Sequence, residues 1–164
     1  MLFYLGYCLK VSDNTLDKAF CYKSDNNGAS WNEVSGLDGI VNKVFSIADG
    51  RLLAVVYDSA ETKTSIFISD DDGITWETSH EVDAVKSLSL ARNETTGHIY
   101  LFGGSPGVAW TGIVLFSSDN GDSWSEYSYS GSEETYIPFP DATSSMVEDD
   151  YGIIHATIML PSGY

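Results

Sequence analysis

One eight-residue template occurs three times along the chain. Ser24-Asp25-Asn26-Asn27-Gly28-Ala29-Ser30-Trp31, Ser69-Asp70-Asp71-Asp72-Gly73-Ile74-Thr75-Trp76 and Ser117-Ser118-Asp119-Asn120-Gly121-Asp122-Ser123-Trp124 share a plan: Ser, an Asp or Asn two residues on, Gly two further, then Ser or Thr and a Trp. Trp76 follows Trp31 by 45 residues and Trp124 follows Trp76 by 48. Self-similarity at a near-constant period marks a repeat architecture in which each copy is one supersecondary unit. The template reads as a tight turn between antiparallel strands. Gly28, Gly73 and Gly121 can take φ > 0 without steric cost. The side chains of Asn26, Asp71 and Asp119 can accept hydrogen bonds from N–H groups of their own turn. The tryptophans then open the next strand with a large ring to bury. All twelve positions, including Ser24, Ser69 and Ser117, are therefore expected to be structural, with Asn26 keeping the acceptor and losing the charge.

Strand-like text surrounds each template. Leu2 to Leu9 and Ala19 to Tyr22 precede the first. Val44 to Ala48, Leu52 to Tyr57 and Thr64 to Ile68 precede the second, and Val85 to Leu90, Ile99 to Phe102 and Gly112 to Phe116 the third. These runs are rich in Val, Ile, Phe and Tyr or alternate apolar with polar. Each Trp begins a further short strand, and Thr143 to Val147 and Ile153 to Met159 close the series. Four strands per repeat predict an all-β fold of four-stranded antiparallel β-propeller blades. Their approximate limits are 1–39, 40–80, 81–130 and an incomplete 131–164. The inventory amounts to a little over three blades. Three blades do not close a ring, so the expectation is either a piece of a longer propeller or two copies closing one ring as a homodimer. Met1 to Leu9 lacks the basic start and small-residue cleavage site of a leader and reads as a strand.

The template resembles the Asp-box, or BNR repeat, of the sialidase-like β-propellers, and the resemblance covers nearly the whole chain. Sialidases hold a carboxylate with three arginines and use a Tyr–Glu nucleophile with an Asp acid/base. Arg suits that task because its planar fork binds a carboxylate bidentately. This chain has two arginines, Arg51 and Arg92. Both adjoin turns on the face that carries the boxes, and the Phe-Arg-Ile-Pro motif is absent. The resemblance therefore implies a glycan-related scaffold without sialidase chemistry inside this chain. Other enzymes with the repeat cleave glycans with two carboxylates, one of raised pKa.

Composition narrows the partners. Asp and Glu number 24 against 8 Lys and Arg, a formal net charge of −16, which excludes binding to nucleic-acid phosphates or to anionic membrane surfaces. Hydrophobic residues at 43% and aromatics at 13% supply a core and exclude disorder. No apolar run is long enough to span a bilayer as a helix. His80, His98 and His155 are dispersed without ligand spacing, so neither a metal nor another cofactor is expected. Cys8 and Cys21 lie on adjacent strands, and a turn centred between Asn14 and Thr15 would set them opposite each other. That leaves open either a disulfide or two half-buried thiols. Asn93-Glu94-Thr95 fits an N-glycosylation acceptor on an exposed turn.

Function is sought on the blade ends opposite the boxes, because long loops on a rigid scaffold carry binding. Gly103-Gly104-Ser105-Pro106-Gly107-Val108-Ala109-Trp110 reads as a Gly-rich loop ending in an aromatic. Tyr127 to Asp141 reads as a long connection stiffened by Pro138 and Pro140. Trp110, Tyr127, Tyr129 and Tyr136 beside Asp58, Glu133 and Asp141 are what sugar rings stack on and hydrogen-bond to. The expectation is a non-catalytic extracellular module binding a glycan or a protein. The alternatives are part of a glycoside hydrolase whose catalytic residues lie mostly elsewhere, or a structural component of an extracellular or virion assembly.

Overall fold

The computed structural model describes residues 3–9, 18–48, 50–58, 62–83, 86–93, 95–105, 111–130, 145–149 and 154–157. Thirteen strands lie among them, all paired antiparallel. The chain divides into two compact units, Met1–Asp83 and Ala84–Tyr164.

In the first unit, β1 (Phe3–Leu9), β2 (Lys18–Ser24) and β3 (Asn32–Glu33) form one sheet in chain order. A second meander contains β4 (Ile40–Ala48), β5 (Arg51–Tyr57), β6 (Lys63–Ser69) and β7 (Glu77–Asp83). Leu52 to Tyr57 is buried at every position, so β5 is covered on both faces. That is why it reads as a continuous apolar run and not as an alternation. Val41, Ala54 and Val56 pack on Cys21 and Leu37, with Val34, Val44, Phe67 and Trp76 around them. This cluster joins the two sheets. On the other face of β5, Leu53 and Val55 are completely buried, as is Ile66 of β6. Each such side chain stabilises by roughly 1.5–3 kcal/mol relative to exposure.

In the second unit, β8 (Lys86–Arg92), β9 (Ile99–Ser105), β10 (Thr111–Ser117) and β11 (Ser125–Ser130) repeat the meander. Next to it β12 (Ser145–Glu148) pairs with β13 (Ile154–Thr157), and β12 lies against β8. Ile99 and Leu101 of β9 are completely buried, while Ala91, Tyr100 and Phe102 pack with Val114 and Phe116. Tyr100 stacks on Phe116 with centroids 5.0 Å apart, and His98 meets Phe116 edge-on.

Several expectations are corrected. β4 starts at Ile40, four residues before the expected Val44. Register shifts at Val41/Lys43 and Ser46/Ala48 each insert an extra residue and break the period-two pattern that would announce it. β7 runs to Asp83, past residue 80. Gly103, Gly104 and Ser105 belong to β9, not to a loop, and Tyr127 and Tyr129 belong to β11. Cys8 does not face Cys21: the register pairs Cys8 with Ala19 and Gly6 with Cys21. A slip of two residues preserves which face each side chain takes, so hydrophobic patterning does not distinguish the two registers. The pair becomes diagonal, with a spacing of about 7–8 Å that exceeds disulfide reach. Cys21 is a free, buried thiol whose burial pushes its pKa up to about 11.

Candidate functional site

Each four-stranded blade has two ends with different chemistry. One end carries the template turn between the third and fourth strands, and the three-stranded sheet carries its own between β2 and β3. There the buried serine is the hub: Gly28 N–H donates to Ser24 Oγ, Gly73 N–H to Ser69 Oγ and Gly121 N–H to Ser117 Oγ, all at 2.8 Å. The same hydroxyls donate to the side-chain oxygen two residues on, at 3.1 Å for Asn26, 2.8 Å for Asp71 and 2.7 Å for Asp119. In the second turn Asp71 Oδ1 also accepts Ile74 N–H (3.0 Å) and Thr75 N–H (2.8 Å), and Oδ2 accepts the Thr75 hydroxyl at 2.6 Å. Asp119 accepts the N–H and the hydroxyl of Ser123 in the same way. In the first turn the last bond runs in reverse: Asn26 Nδ2 donates to Ser30 Oγ at 2.7 Å, while Oδ1 accepts Ser30 N–H.

These bonds set the electrostatics. Donation from the Thr75 hydroxyl, then from its N–H, pushes the Asp71 carboxyl down to about 2. The Ser123 hydroxyl and N–H do the same to Asp119. Both are ionised acceptors committed to their own turns, and neither is placed to act as an acid. Two successive residues of every turn are left-handed: Asn27 and Gly28, Asp72 and Gly73, Asn120 and Gly121. The residue before each Gly was legible as the Asn-Gly or Asp-Gly dipeptide, but composition drew attention to the glycine alone.

The turn between the first two strands of a blade lies at this same end. Asp72 N–H donates to Gly50 O, and Arg51 Nε lies 2.9 Å from Asp70 Oδ1. Lys23 Nζ of β2 donates to Asp72 O, tying the first sheet of this unit to the second. In the other unit, Gly97 abuts the Asn120 side chain. The tryptophans are used unequally. Trp76 packs into the inter-sheet cluster, Trp124 Nε1 donates to Gly121 O at 3.2 Å, and Trp31 is 40% exposed.

The opposite end is described at the β5–β6 loop. Asp58 closes it: Oδ1 accepts Thr62 N–H (2.6 Å) and Lys63 N–H (3.1 Å), Oδ2 accepts the Thr62 hydroxyl (2.6 Å), and Asp58 N–H donates to Lys63 O. The Thr62 hydroxyl is the main reason its carboxyl sits below the ordinary range. Beside it, Lys63 Nζ contacts Glu81 Oε2 at 2.7 Å, which lowers the Glu81 carboxyl and raises the Lys63 ammonium. Sequence reasoning missed this pair; no spacing rule links β6 to β7 before the register is known. Tyr127 is not at this end: it pairs with Val114 midway along β11, where it is 60% exposed. Tyr129 stands opposite Gly112 in the ladder. Trp110, Glu133, Tyr136 and Asp141 lie outside the described residues. Asp58 and Tyr127 belong to different units. Among the described residues no three His, Cys, Asp or Glu side chains gather as metal ligands.

No protein-family model matches the chain, and no curated protein matches it in sequence. Solved structures do. An alpha-L-arabinanase from Penicillium chrysogenum, complexed with arabinobiose, superposes with a TM-score of 0.56 at 15% identity, over 94% of this chain and 53% of its own. An alpha-L-arabinofuranosidase from Fusarium graminearum, in complex with an iminosugar inhibitor, gives 0.55 at 14%, over 96% and 53%. A leech intramolecular trans-sialidase is more distant, at 0.44 and 19% identity over 71% of this chain and 19% of its own. The chain spans about half the length of the first two. At these identities the likeness is one of fold, and it agrees with the four-stranded antiparallel sheets: the chain is an all-β protein built of β-propeller blades.

Proposed function

We propose that this chain recognises a neutral, arabinose-type glycan outside the cell as part of a sialidase-like β-propeller, through the blade ends opposite the template turns. We read those turns as Asp-boxes. The observation that carries the proposal is the superposition of 94% and 96% of the chain on two propellers named for arabinose-containing substrates. Three further features support it. At the template end the Ser, Asp or Asn and Ser or Thr side chains of each turn are committed to internal hydrogen bonds, so its polar groups are less available to a ligand. With only Arg51 and Arg92 present, and Arg51 beside Asp70, a sialic-acid carboxylate lacks its arginine cluster. Tyr127, midway along β11 between the two ends of its blade, offers an exposed ring on which a sugar can stack. Trp110, Tyr129 and Tyr136 are proposed as further stacking residues, and Glu133 and Asp141 as hydroxyl acceptors. Asp58 braces its loop and keeps one Oδ2 lone pair to accept a sugar hydroxyl.

A second reading, part of a glycoside hydrolase, is favoured by the catalytic names of both superposed propellers and fits the fold equally well. Glycosidases need one acid of raised pKa. Asp58 and Glu81, at the described end, are both shifted down, so an acid of that kind would come from another part of the protein.

Calorimetric titration with arabinobiose, and with 3′-sialyllactose as control, tests the binding proposal. Saturable arabinobiose binding, weakened by Tyr127→Ala and absent for sialyllactose, is the expected result. Binding of the sialoside alone, or of neither sugar, overturns it. Release of nitrophenol from a nitrophenyl α-L-arabinofuranoside would establish the second reading.

A further inference from the structure

The β8–β9 turn holds a feature that glycan recognition does not use. Asn93-Glu94-Thr95 is the chain's single Asn-X-Ser/Thr triplet. Asn93 N–H donates to His98 O (3.0 Å), and Gly97 N–H donates back to Asn93 O (2.8 Å), so the turn is closed from both sides. The Asn93 side chain is itself fixed: Oδ1 accepts Thr95 N–H at 2.9 Å and Thr96 N–H at 3.1 Å. Its Nδ2 donates to nothing among the described residues. Thr95 and Thr96 are exposed, and the Thr96 hydroxyl accepts His98 N–H while that of Thr95 has no partner among the described residues. Glu94 lies outside the described residues, and any residue but Pro serves at the middle of such a triplet.

We propose that Asn93 is an N-glycosylation site. In the transfer, Asn93 Nδ2 attacks the anomeric carbon of a lipid-diphosphate-linked oligosaccharide. The C–N bond forms, the C–O bond to diphosphate breaks, and one Nδ2 proton passes to the transferase. The turn accommodates the product without rearrangement, because the hydrogen bonds among its described residues use Asn93 Oδ1, the Thr96 hydroxyl and the backbone, and none of them uses the nitrogen that becomes substituted. Its position also suits a bulky group. Gly97 lies against Asn120, so the attached sugar would sit at the template end of its blade, away from the β9–β10 connection where recognition is proposed.

The test is translation of the leader-fused full chain into microsomes, with the protease-protected product analysed before and after peptide-N-glycosidase. We expect one enzyme-sensitive mobility step in the parent chain. Asn93→Gln and Thr95→Ala should abolish it, and Thr95→Ser should restore it at lower occupancy. Enzymatic release should convert residue 93 alone to Asp in the peptide map. A protected parent chain without the step, or a step that survives Asn93→Gln, overturns the proposal. Because the readout is covalent attachment, it is independent of whether any glycan ligand binds.

Discussion

At the scale of single residues, the three template turns solve one problem with two kinds of side chain. Ser69 and Ser117 are buried, at 2% and 1% exposure, and each accepts the N–H of a buried glycine. Ser69→Ala keeps the volume nearly unchanged and strands the Gly73 donor. The expected cost is roughly 1–3 kcal/mol of unfolding free energy by urea titration, the range for a buried group left unpaired. A value near zero would mean that the hub is not the serine. The carboxylates add a pH dependence whose sign follows from their lowered pKa. A group depressed in the folded state contributes stability that is present above its unfolded value and lost as pH falls through its folded value. For Asp71 and Asp119, each near 2, that window runs from about pH 4 down to about pH 2. Asn26 forms the same turn uncharged and should be indifferent to pH. The Asp71→Asn, Asp119→Asn double variant should therefore lose less of its urea midpoint than the parent between pH 4 and 2. An equal loss would place the acid sensitivity elsewhere.

At the scale of elements, strand positions were legible because β5 and β9 bury all their described apolar residues and β6 and β10 leave none of theirs fully exposed. Their ends and pairings were not. The β4 bulges erased its alternation over Asn42 and Lys43, and glycines in β9 imitated a loop although Gly103 is buried inside the sheet. A turn centred between Asn14 and Thr15 gives a β1–β2 register two residues away from the one formed, and a two-residue slip costs nothing in facing. Connections between elements carry their own constraints. Gly39 enters β4 with φ +134°, and a Cβ there would lie 2.3 Å from Tyr57 O and 2.9 Å from Val56 Cγ1. Gly50 has φ +72° and open space around it. Gly50→Ala should cost only the left-handed penalty, about 1–2 kcal/mol. Gly39→Ala should cost clearly more, since the obstructing atom is backbone and β4 must shift. The two midpoints, measured side by side, check the difference; equal losses would mean that the entry to β4 is not tightly packed.

At the scale of the whole molecule, the fold follows from repetition, while the candidate site does not. Period, turn chemistry and strand count are local properties and survive in one sequence. Candidate ligand-contacting side chains sit on loops and strands whose placement depends on the register, so Asp58 and Tyr127 could be nominated only by type, and the Lys63–Glu81 pair could not be nominated at all. Charge, by contrast, is legible at this scale and acts at this scale. With 24 acidic against 8 basic side chains, compaction brings like charges together, and this self-repulsion opposes folding at neutral pH. The ion pairs Lys63–Glu81 and Arg51–Asp70 each keep an exposed carboxylate, and pairs of this kind add little against repulsion summed over many charges. Salt weakens both contributions, but repulsion among many separated charges loses more than contacts at 2.7 and 2.9 Å. The melting temperature at pH 7 should therefore rise as sodium chloride increases from about 0.02 to about 0.5 M, where the screening length falls from roughly 20 Å to below 5 Å. A gain of 1 kcal/mol would appear as roughly 2–4 °C in a domain of this size. Lys63→Met should leave the rise in place, because the pair it removes opposes the trend. A melting temperature that falls with salt would mean that specific pairs, not net repulsion, dominate the electrostatics of the folded chain.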